Sequence, residues 1–168
     1  AVVAATAVLD EVVVGARASV HEDAVVIRSV LLPGATVGAG ARVLHCGQLR
    51  DVHIGPHAVV RGAALLEDGT ILSCQEHPTV VGEGVHARHF VIAEGASVTS
   101  GALLDKAFVG QASKVGKQFS AENSAFFANC ELFHGEAVAV FGGPYTVTHH
   151  KGTLLIATDG ERVGQVNG

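Results

Sequence analysis

The chain has 168 residues, enough for one domain with a continuous core. Its 48% hydrophobic content includes only 5% aromatics and no Met or Trp, which argues against an ordinary core of bulky side chains and for many thin, similar layers of Val, Ala, Leu and Gly. A net charge of −5, with 11 basic residues that do not cluster, argues against nucleic acid or an anionic membrane as the main partner.

No apolar run reaches transmembrane length, and Ala1-Val2-Val3 has no basic region before it, so no signal peptide is expected. The missing initiator Met suggests a fragment. Cys46, Cys74 and Cys130 are odd in number and lack metal-type spacing, which suggests a reduced, cytoplasmic compartment.

Residues 1–13 carry a weak repeat, with Val2 and Val8 in phase with Val14. Residues 14–43 then read in blocks of six. Val14, Val20, Val26, Leu31, Val37 and Val43 lead the blocks, turn-formers often follow, and small residues recur at the fifth place. That period fits neither an amphipathic helix nor a simple alternating strand. It suits a solenoid in which each block forms one flat side and one corner. The phase continues through Leu49, Ile54, Val60, Leu66 and Leu72. Residues 75–78 break it and read as a loop bulging from a corner, a common place for function on a rigid scaffold. Val81, Ala87, Ile92, Val98, Leu104, Val109 and Val115 resume the pattern, with glycines marking corners.

From Phe119 the side chains grow larger, and six of the seven Phe residues lie from Phe108 onward. After Ala139 the blocks fade. Phe141-Gly142-Gly143-Pro144-Tyr145 reads as a turn, residues 153–157 as an apolar strand, and Asp159-Gly160 as a hairpin turn. The predicted organisation is a β-helix over 1–138, then a terminal coil, capping strand and polar tail over 139–168. Three blocks make a triangular coil of about 18 residues, and roughly seven or eight coils stack at about 4.8 Å each.

Most of the chain resembles the hexapeptide-repeat superfamily, whose members include acyltransferases, γ-class carbonic anhydrases and the β-helical tails of sugar nucleotidyltransferases. That resemblance implies an all-β, single-stranded left-handed parallel β-helix closed by a C-terminal strand or hairpin. Handedness comes from the resemblance alone, since parallel crossovers are ordinarily right-handed. A sharper match covers residues 109–157. It includes Gly116-Lys117-Gln118-Phe119-Ser120-Ala121-Glu122-Asn123-Ser124, Cys130-Glu131-Leu132-Phe133-His134-Gly135-Glu136-Ala137 and Gly143-Pro144-Tyr145-Thr146-Val147-Thr148-His149-His150-Lys151. These stretches are similar to a bacterial β-helix family of unknown function, sometimes described as sugar-1-phosphate guanylyltransferase-like. That family continues past the apolar strand into a Gly/Ser/Asn-rich segment with another His. Here Thr158-Asp159-Gly160-Glu161-Arg162 stands instead, which leaves a scaffold role open.

Ten histidines supply the candidate chemistry. His134, His149 and His150 form the leading group as catalytic residues, because imidazole titrates near neutral pH and serves as a general base in hexapeptide acyltransferases. Asn123, Asn129, Glu136 and Lys151 are the substrate-binding candidates, and the ordinary reading of each is a polar ladder on a prism edge. His77, His86 and His89 resemble the zinc-binding layout of γ-carbonic anhydrases, but Glu94 stands where that family has a further His, so zinc is not expected. Cys130 reads as a buried small hydrophobe. No Walker loop or dinucleotide fingerprint is present.

Three functions follow: an acyltransferase-like enzyme with an acyl-CoA donor and a His-lined cleft between subunits; a non-catalytic oligomerisation or scaffold module of a larger sugar-metabolism protein; and a γ-carbonic-anhydrase-like metal protein. The expected assembly is a homotrimer, with Val2, Val3, Val13, Val25 and Leu44 as candidates to face a neighbour. A small-molecule substrate is allowed; nucleic acid and membrane are not expected.

Overall fold

The computed structural model describes residues 1–149 and 152–155, together with the backbone of the strand Gly164–Val166. Short strands alternate with turns, and each pairs in parallel with a strand about one coil later. Val8 pairs with Val25, Ser19 with Thr36 and Arg42 with Val59, a spacing of 17 residues. Nine strands, from Val8–Asp10 to Val147–Thr148, stack as one side of a prism. The other two sides join across one edge into a 14-stranded sheet. The described residues form about nine turns of an all-β parallel solenoid, with no helix and hence none long and apolar enough to cross a membrane.

The six-residue blocks lead inward as expected. Val37, Ile54, Ile71 and Ile92 stack inside the first side, Val26, Val43, Val60 and Val81 inside the second, and Leu31, Leu49 and Leu66 inside the third, all fully buried. Each such residue contributes about 1.5–3 kcal/mol by leaving water. The coil is shorter than the predicted 18 residues because one of its three steps is five. That step takes the chain from Leu49 to Ile54 and from Leu66 to Ile71. Leu72, read from the sequence as inward, is therefore outside the core and 38% exposed, with Ile71 in its place. A 17-residue coil fits more turns into the same chain than the expected seven or eight.

The five-residue step defines one edge, here called edge I. Strands of seven residues, Gln48–Ile54, Leu65–Ile71, His86–Ile92, Leu103–Val109 and Ser120–Phe126, run through it without a break. The bend falls on one residue per turn, in the left-handed region: Asp51, Asp68, His89, Lys106 and Asn123, with φ between 47° and 50°. Arg17 and Gly34 continue the column below, and Ala139 above. That conformation costs an L-residue about 1–2 kcal/mol, least for Asn and Asp. Similar residues turn the other two edges, such as His57 and Asn129 on edge II and His45 and His134 on edge III. The strain is thus a property of the coil and not a mark of any one site.

The predicted loop is present. Val59 pairs with Val80, 21 residues on, so residues 72–79 carry four more than an ordinary turn. Two buried hydroxyls close it: Thr79 N donates to Ser73 Oγ at 3.0 Å, and Thr79 Oγ1 donates to Leu72 O at 2.6 Å. Beyond residue 139 the turns continue through Phe141–Gly142, Val147–Thr148 and Thr153–Leu155. The last strand pairs antiparallel with Gly164–Val166, which protects its edge. The Asp159-Gly160 turn lies outside the described residues.

Candidate functional site

A surface depression of about 1000 Å³ runs along edge I and over the adjoining first side. The side chains of Asp51, Asp68, His89, Lys106 and Asn123 form one wall, a single column with one residue per turn. The outward residues two places further on form the floor. His53, Thr70, Val91, Phe108, Ala125 and Phe141 stand in register there.

His89 is the pivot of the column. Its Nδ1 lies 3.3 Å from Asp105 Oδ1, and its Nε2 lies 3.7 Å from Asp68 Oδ2. Asp105 belongs to the next turn and Asp68 to the previous one, so the ring is held from both sides. Asp105 is within hydrogen-bond distance of Nδ1, whereas Asp68 is beyond it, so Nε2 is the nitrogen left to exchange a proton. Lys106 stands one turn above with no carboxylate within ion-pair distance among the described residues. Beside the edge, Glu67 is bracketed by Arg50 at 3.4 Å and Arg88 at 3.3 Å. This exposed ladder contributes no more than about 1 kcal/mol per pair.

Packing beneath the column is specific. Phe90 lies inward, 2% exposed, one turn above Gly69. A Cβ at Gly69 would overlap the Phe90 ring, so this glycine is required by its neighbour. At the top, Phe108, Phe127 and Phe141 cluster with centroids 5.8 and 4.8 Å apart, and Phe141 is 73% exposed.

The residues singled out in the sequence fall on three different edges of one chain. Asn123 belongs to the edge I column, Asn129 turns edge II, and His134 turns edge III. Around His134 a smaller depression of about 420 Å³ holds Lys117, Gln118 and Glu136. His149 lies on the second side, its Nε2 3.4 Å from Glu131 Oε2 and its ring 5.3 Å from that of Phe133. Glu131 also accepts from Lys114 Nζ at 2.9 Å. The Lys114 hydrogen bond and charge, with a smaller share from His149, hold the Glu131 carboxyl below its usual range. Glu131 thus serves His149 and not the His134 that it flanks in sequence. His150 and Lys151 lie outside the described residues.

The metal candidates are likewise apart. His77 sits on the loop at edge II, His86 opens a strand on the third side, and His89 is on edge I. Among the described residues no group of three or more His, Cys, Asp or Glu could hold a metal ion. Within one chain these three histidines do not fit a shared zinc.

Sequence reasoning named His89 and Asn123 for separate roles and passed over Asp51, Asp68, Asp105 and Lys106. A spacing of 17, interrupted once by the four added residues, links 51, 68, 89, 106 and 123. That signal becomes visible only once the coil length is known.

Residues 12–159 match a family described as "Domain of unknown function (DUF4954)". No curated protein matches the chain.

Proposed function

We propose that this chain, which belongs to the DUF4954 family, is an acyltransferase-like β-solenoid whose working site is the groove along edge I. The carrying observation is His89, its Nδ1 3.3 Å from Asp105 in the wall of the edge I depression. His89 would take the proton from an acceptor hydroxyl or amine, while Asp105 holds the ring. The acceptor atom would then attack the carbonyl of an acyl thioester such as acyl-CoA. The C–S bond breaks, the new ester or amide forms, and the leaving thiolate takes the proton back from His89. Lys106 is placed to stabilise charge on the carbonyl oxygen. The thioester donor is carried over from the hexapeptide-repeat resemblance.

Assembly as a homotrimer would bring together what one chain keeps apart, because an edge of one prism can face the His134–Glu136 depression of its neighbour. Three unpaired cysteines support a reducing, cytoplasmic setting.

The test is thiol release from acyl-CoA donors in the presence of simple amine and alcohol acceptors. His89→Gln is expected to slow release by about a hundredfold or more, and His149→Gln to leave it nearly unchanged. No release with any donor, or equal losses in both variants, would contradict this reading. The second reading is a non-catalytic scaffold, favoured by Val2, Val8 and Val13, which are 72%, 54% and 61% exposed on the first turn.

A further inference from the structure

We infer that the edge I groove receives a linear, uncharged oligosaccharide; this rests on the groove being the working site and names what occupies it. The first argument is the mixture of hydrogen-bonding groups along the wall. Asp51 and Asp68 only accept, Lys106 only donates, and His89 and Asn123 do both. Asp51 and Lys106 have no ion-pair partner among the described residues, and the Asp51 carboxylate lies over Gly34 of the turn below. The wall changes sign along its length, with Asp51 and Asp68 below and Lys106 above, so no ligand of uniform charge complements all of it. A chain of hydroxyls, each both donor and acceptor, meets Asp51 and Lys106 directly and can share in the contacts that Asp68, His89 and Asn123 already make with His89, Asp105 and Glu122.

The second argument is length. The five residues occupy five successive turns, so the wall spans about 19 Å at roughly 4.8 Å per turn. A single small molecule covers a fraction of that; an extended polymer of hydroxylated units covers it all.

The third argument is the aromatic shelf. The chain buries Phe90, Phe119 and Phe126 in its core, yet it leaves Phe141 73% exposed beside the groove. Phe141 and Phe108 are two turns apart, with Ala125 as a low floor between them. Phe127 backs both rings, at 4.8 and 5.8 Å. The apolar C–H face of a pyranose ring packs on such a surface, with its ring hydroxyls directed sideways toward Asn123 and Lys106. An amphipathic ring above an aromatic shelf, continued by hydroxylated units along a mixed polar wall, is the occupant that uses both features.

The experiment is calorimetric titration of the whole chain, without acyl donor, with neutral linear oligosaccharides of two to six units: cello-, malto-, xylo- and chito-series. Binding by at least one series is expected, tightening with length until the wall is filled. Phe141→Ala is expected to weaken it about tenfold. Phe141 is exposed, so its removal leaves the core intact, and a Lys106→Ala variant gives an independent reading at the wall. The inference is overturned if no series binds, if affinity ignores both substitutions, or if the wild-type chain self-associates through the shelf and Phe141→Ala makes it monomeric. A chain that binds the oligosaccharide but releases no thiol retains this inference and retires the acyl-transfer reading. Thiol release with simple acceptors and no oligosaccharide binding does the opposite.

Discussion

Gly69 and Phe90 show how a single position can be fixed by the turn above it. The Phe90 ring occupies the space a Cβ would need at Gly69. Gly69→Ala is therefore expected to destabilise the chain by about 1–3 kcal/mol, as overpacking does. Phe90→Leu in the same chain should recover part of that loss in chemical denaturation. Buried hydroxyls matter in the same way. Ser124 Oγ accepts from Val140 N at 3.0 Å where the coil shortens to 16 residues, as Ser120 pairs with Glu136. Ser124→Ala leaves that amide without its partner and is expected to cost about 1–3 kcal/mol. The cysteines separate by burial: Cys46 and Cys130 are buried, and burial pushes the Cys46 thiol up. A thiol reagent at neutral pH should label Cys74 in the folded chain and reach the other two only on unfolding.

At the scale of one turn, the second side carries a charge cluster whose pH response has a definite sign. Glu131 is lowered first by Lys114 and then by His149. A lowered carboxyl contributes its stabilisation above the ordinary glutamate range and loses it as pH falls through the lowered value. Lys114→Ala should move the Glu131 titration upward in carbonyl-detected NMR; an unmoved titration would mean that Lys114 does not set it. The loop of residues 72–79 is also an element-scale feature. It holds the four residues beyond the ordinary turn, so deleting residues 74–77 should preserve the solenoid with a small change in melting temperature.

Over the whole molecule, the legible part of the sequence was the inward column. Val20, Val26, Val37 and Val43 announce themselves every six or so residues, because small aliphatics fill the thin repeated layers of these turns. The third step of each coil was harder to read. Ile71 and Leu72 are adjacent and both aliphatic, so periodicity alone does not say which one turns inward. Leu49 to Ile54 and Leu104 to Val109 read from the sequence as steps of five but Leu66 to Leu72 as six, and with a coil taken as about 18 the positions that align at 17 scatter. This is why His89 and Asn123 surfaced as unrelated candidates, and why Asp51, Asp68 and Lys106 did not surface. His134 and His149 were singled out together from the sequence, but they stand at edge III and on the second side, and the sequence did not show that Glu131 would turn to His149.

The reading of the groove depends on one register, the column from Arg17 to Asn123 along a single edge. Pairs of spin labels at Asp51 with Asn123, and at Arg17 with Asn123, test it directly through pulsed dipolar distances. The pairs lie four and six turns apart, so backbone separations of about 19 and 29 Å are expected at roughly 4.8 Å per turn. A second distance no longer than the first, or one that grows by anything far from two turns, would contradict the shared edge and with it the site.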